Sequence, residues 1–164
     1  MTHPTNSLRQ ALSTDYRITD LQDCPLMAQE TPAYTATLTR AGVRVAAVRS
    51  NGGGGQAQVT WTSAHERDAF CDAARDHAKI PAEWVWEVLL SDLYSVAALG
   101  HDLLTQAAGA VLVQLPDDGD WLDGGHVRTA RLSGRSQTQV RASLRTECPG
   151  ARVFDPDVCD FVQV

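Results

Sequence analysis

The stretch that most constrains the fold is Tyr34-Thr35-Ala36-Thr37-Leu38-Thr39. Apolar and threonine side chains alternate along it. Only an extended strand, whose side chains point to opposite faces in turn, sorts such a pattern. The strand has one apolar face and one threonine face, and the apolar face needs a cover. Ala41-Gly42 then reads as a turn, because glycine accepts the positive φ a tight hairpin needs. A second strand is expected over residues 43–49. Its apolar residues fall on both faces, so it is expected to be central and covered. Asn51-Gly52-Gly53-Gly54-Gly55 interrupts it, and Ala57, Val59 and Trp61 alternate with Gln58 and Thr60 in a third strand. The product is an antiparallel meander near residues 33–61.

Helices follow. Ser63-Ala64-His65-Glu66 is a capping box, and Ala69, Phe70, Ala73, Ala74 and His77 lie at helical spacing on one face. Lys79 suits the last turn, and Pro81 ends this helix and opens the next. The next helix carries Trp84, Val85, Val88, Leu89 and Leu93 as its apolar stripe; Gly100 ends it, or it runs on through Leu103 and Leu104. The last third returns to strands at residues 110–115, near 126–132 and at 152–154. Between the last two lies a helix opened by Ser136-Gln137-Thr138-Gln139 and closed by Pro149-Gly150. Residues 1–15 read as a loose N-terminal arm in which a short helix after Ser7 is compatible with the residues; residues 16–21 read as a first strand. The expected architecture is α+β: one domain over 16–164, an antiparallel sheet made of the meander plus C-terminal strands, and about three helices on one face.

At 164 residues, with 43% hydrophobic and 21% charged, the chain can bury a core without disulfides or metals. No apolar run approaches the roughly 18 residues of a membrane helix, and the first residues lack a signal-peptide pattern. A cytoplasmic location is the expectation. Cys24, Cys71, Cys148 and Cys159 form no C-x-x-C pair and read as small buried hydrophobes. Net charge is −6, unevenly spread. Residues 128–152 hold six arginines against Glu147 alone, so that segment carries +5 and the remainder −11.

Two features are candidate binding sites. The first is Asn51 to Gly55, whose exposed amides suit an anion or a partner; it is neither a P-loop nor a dinucleotide fingerprint, and a long hairpin turn or glycine-rich bulge is the plainer reading. The second is the arginine segment, with Arg141 and Arg145 on one helical face and Arg128 and Arg131 on or near the preceding strand. Internal pairing with acids is the plain alternative. The Asp117–Gly125 loop misses the EF-hand template, the Asp68, Asp72, Asp76 stripe reads as a solvated face, and the five histidines lack ligand spacing. No cofactor and no metal are expected.

The order of these features resembles a group of small proteins from bacteria and their phages, in Asn51 to Gly55, Arg128-Thr129, Val140 to Leu144 and Pro149-Gly150-Ala151-Arg152-Val153. The resemblance spans roughly residues 30–155 and implies the fold without an activity. No catalytic motif assembles along the chain. The leading expectation is therefore a non-catalytic interaction module that contacts a protein partner through the glycine run or the arginine segment. The alternatives are binding of a phosphate-bearing ligand, nucleotide or nucleic acid through Arg128, Arg131, Arg141 and Arg145, and a hydrolase whose site is assembled from distant residues.

Overall fold

A computed structural model describes residues 4–78, 85–107 and 109–164. Lys79, Pro81 and Trp84 lie outside the described residues. Among the described residues the fold is α+β, with antiparallel sheets and four α-helices. The chain divides into two compact units, residues 1–98 and 99–164. The expected domain 16–164 runs across this division, which falls inside a long helix.

In the first unit, helix α1 (Pro4–Leu12) precedes strands β1 (Tyr16–Asp23), β2 (Ala33–Arg40), β3 (Val43–Asn51) and β4 (Gln58–Trp61). The four strands form one meander in the order β1-β2-β3-β4. Helix α2 (Ala64–Ala78) and the start of α3 (Val85–Gln106) follow. Ile18, Leu38 and Val48 point from the sheet into the core, where Ala11 of α1, Phe70 of α2 and Leu89 of α3 meet them. The expected loose arm is thus corrected: Ala11 is fully buried, and this packing holds a helix too short to persist alone. Half of the expected capping box opens α2: Ser63 Oγ accepts a hydrogen bond from the Glu66 amide at 3.2 Å, while the Glu66 carboxylate faces Arg40 at 3.5 Å.

The second unit has its own sheet, in the order β6-β5-β7-β8, with β5 Ala110–Gln114, β6 Arg128–Arg131, β7 Arg152–Asp155 and β8 Asp160–Gln163. The single expected sheet is therefore two, and four helices replace about three. Helix α4 (Gln137–Glu147) opens on the full capping box: the Gln139 amide donates to Ser136 Oγ at 3.2 Å and the Ser136 amide to Gln139 Oε1 at 2.8 Å. Val140 of α4 packs with Val111, Val113 and Val153 on one sheet face. On the other face Trp121, Phe154 and Phe161 pack edge to face, and Trp121 Nε1 donates to Asp160 Oδ1 at 2.9 Å. Gly100 does not end α3. A Cβ there would sit 2.9 Å from the Phe154 ring, so the glycine makes room for packing.

Among the described residues no helix is long and apolar enough to cross a membrane.

Candidate functional site

The threonine face of the meander is open around Thr35 and Thr60, while Thr39 at its other end is buried. Cross-strand pairing places Thr19, Thr37, Ala47 and Thr60 in one row, and Gln22, Thr35, Arg49 and Gln58 in the next. Gln22, Thr35, Arg49, Gln58 and Thr60 are exposed. The expectation that β3 is covered on both sides is corrected by a β-bulge. Leu38 pairs with Ala46 and Thr39 with Arg44, so Val45 is one residue more than β2 can match. Val45 and Ala46 both enter the core, at 3% and 0% exposure. The two buried neighbours look like apolar residues on both faces only if alternation is taken as unbroken.

The same extra residue determines where two charges go. Arg44 and Arg49 are five apart, which in a regular strand puts them on opposite faces. The bulge restores the parity, and both stand on the open face. Neither side chain makes an ion pair or hydrogen bond among the described residues. Together they line a depression of about 520 Å³ whose only carboxylate is Asp20, the left-handed residue (φ 51°) in the irregular step of β1. In a chain of net charge −6, this face has a local excess of positive charge. Sequence reading missed Arg44 and Arg49, because the bulge that unites them leaves no mark in composition.

The expected site residues are placed otherwise. Asn51 ends β3 and its Oδ1 accepts the Gly53 amide at 3.2 Å. Gly52 is buried, and its carbonyl accepts the amides of Gln29, Glu30 and Thr31 at 3.0, 2.9 and 3.2 Å. The Gly54 amide donates to Thr31 Oγ1 at 3.3 Å. Among the described residues, Gly53 and Gly55 make no such tie beyond their own loop. The run mainly locks the 24–32 connection, whose Leu26 is fully exposed.

The arginines do not converge. Arg128 clasps the buried Asp118, with Nη2 to Oδ1 at 2.6 Å and Nε to Oδ2 at 2.9 Å. Pairing of Ala130 with Val111 and of Arg131 with Ala110 puts Arg131 on the sheet face opposite α4. Arg141 and Arg145 are on α4, half-buried and exposed.

The Arg128 hydrogen bonds, followed by the Leu115 amide, hold the Asp118 carboxyl at about 2, below its ordinary 3.8. A depressed carboxylate contributes stability that is complete above its unfolded value and lost as pH falls through the folded one. The unfolding midpoint is expected to drop between pH 3.8 and about 2 by an increment that Asp118→Asn abolishes. Thermal unfolding of both proteins across that range checks it; parallel curves would count against the clasp.

Comparisons with family models, curated proteins and solved structures find no match to this chain.

Proposed function

We propose that the first unit binds a small phosphate-bearing ligand on the open face of its sheet, with Arg44 and Arg49 as its anchors. The observation that carries this reading is the pair of unpaired arginines on an exposed face whose other polar groups are hydroxyls, amides and the one carboxylate of Asp20. Guanidinium groups fit phosphate oxygens two at a time, and the neighbouring Thr and Gln side chains add neutral donors. The two sheet rows hold no aromatic side chain, so there is no platform for base stacking. Recognition centres on the phosphate groups.

Isothermal titration with sodium tripolyphosphate tests this. Binding is expected at low ionic strength and is expected to weaken as salt rises. Arg49→Ala is expected to cost roughly 10- to 100-fold in affinity, the worth of a charge-assisted contact. The pair Arg44→Glu with Arg49→Glu removes binding, while Arg141→Glu with Arg145→Glu leaves it intact. Absence of binding to the unmutated chain, or loss only in the α4 variant, overturns the proposal.

A further inference from the structure

A second irregular step shapes the open face of the first unit. Thr19 and Gln22, three apart in β1, pair with Thr37 and Thr35, two apart in β2, so β1 also carries one residue more than its partner can match. Leu21 packs against the core, while Asp20 takes the left-handed φ of 51° and lines the depression that holds Arg44 and Arg49. Its carboxylate is exposed and makes no ion pair or hydrogen bond among the described residues. Arg17, in the same row as Arg44, is different: its guanidinium donates to the carbonyls of Leu12, Thr14 and Tyr16 at 2.8, 2.7 and 2.6 Å.

The register keeps these opposite charges apart. Strands β1 and β3 flank β2, so Asp20 stands two strand spacings, about 10 Å, from the strand that carries the arginines. Arg44 and Arg49 face Thr39 and Thr35, four residues apart along β2, which is roughly 13 Å. Asp20 lies beside the step between Thr37 and Thr35, at the third corner of a triangle. Two positive charges against one negative leave the lining of the depression at +1. All three groups are open to solvent or half-open, and none is satisfied by another.

On the reading that Arg44 and Arg49 anchor a phosphate, we propose that the ligand of this face is a small aminoalkyl phosphate monoester, a phosphate and a primary ammonium joined by a short carbon chain. The arginines take the phosphate oxygens and Asp20 takes the ammonium. Charge balance separates this ligand from a plain phosphate. A monoester carries about −1.5 to −2 near neutral pH, so without an ammonium it exceeds a site of +1 and meets the repulsion of Asp20. One ammonium brings the ligand to about −1 and gives each charge an opposite neighbour. A phosphodiester with the same ammonium is neutral overall and leaves the excess positive charge unmatched. The free monoester therefore fits better than a lipid headgroup of the same chemistry.

The test is an NMR titration of the full chain at constant low ionic strength, following the Thr35 and Gln58 amides. It compares O-phosphoethanolamine with ethyl phosphate, which has the same carbon chain and no ammonium. O-Phosphoethanolamine is expected to bind about tenfold more tightly. Asp20→Asn is expected to move the two ligands in opposite directions, weakening O-phosphoethanolamine about threefold and strengthening ethyl phosphate about two- to fivefold. Asparagine accepts a left-handed backbone as aspartate does, so the variant keeps the bulge. Equal binding of the two ligands by the unmutated chain, or a shift of both in the same direction in the variant, overturns the ammonium subsite. Tripolyphosphate binding then still upholds the phosphate anchor, whereas failure of all three ligands to bind overturns both. Vesicles of phosphatidylethanolamine in phosphatidylcholine are expected not to cosediment the chain; cosedimentation assigns the headgroup instead and overturns the free monoester.

Discussion

Gly52→Ala is expected to lower the free energy of unfolding by about 3 kcal/mol, while Gly53→Ala and Gly55→Ala stay within about 0.5 kcal/mol. Three features of Gly52 combine. Its φ of 78° is left-handed, which costs a residue with a Cβ roughly 1–2 kcal/mol. An added Cβ would lie 2.6 Å from Met27 O and 2.9 Å from Ala28 Cα, and both are backbone atoms with little room to yield. Any shift that relieves them pulls the carbonyl away from three amides. Gly53 and Gly55 have neither a positive φ nor an obstacle within 3.4 Å. Urea denaturation of the three variants separates the cases. Equal effects would mean that the run acts as a uniform flexible linker.

The second large effect is expected at Phe70, the largest fully buried side chain among the described residues. Its ring meets Tyr16 edge-on at 4.9 Å and Trp61 at 5.4 Å. Phe70→Ala removes both contacts and leaves a cavity between α2 and the sheet, at a cost of about 4 kcal/mol. Phe70→Leu keeps most of the volume and costs about 1.5 kcal/mol. Against a total of roughly 5–15 kcal/mol, the alanine variant loses a large share of its stability. The denaturation midpoint is expected to fall with an unchanged slope. A small alanine effect would show that the helices close over the gap.

The alternation in Tyr34 to Thr39 read directly as a half-covered strand, and the Ser136 capping box as a helix start, because both signals are local. What stayed hidden depends on residues far apart or on a broken period. Strand β8 pairs with β7 through a turn in which Cys159 has φ 52°, and neither strand exceeds four residues. Asp118 and Arg128 meet across a loop that reads only as a polar tip. His77 stood out on an apolar helical face, yet its partner Asp92 lies fifteen residues on, in another helix. The arginine segment was conspicuous by count, but strand parity and one internal acid disperse it.

The bulge at Val45 makes the charge of an entire face depend on one irregular step between two arginines. Substituting Val45 with another apolar residue changes the core and leaves both guanidinium groups where they are. Removing the codon leaves Arg44 and Arg49 four apart, so strict alternation keeps both on the open face, whereas straightening the strand with all its residues kept would send them to opposite faces with no arginine altered. The shared face of the two arginines thus survives both substitution and deletion of Val45, and is lost only where β3 alternates regularly over its full length.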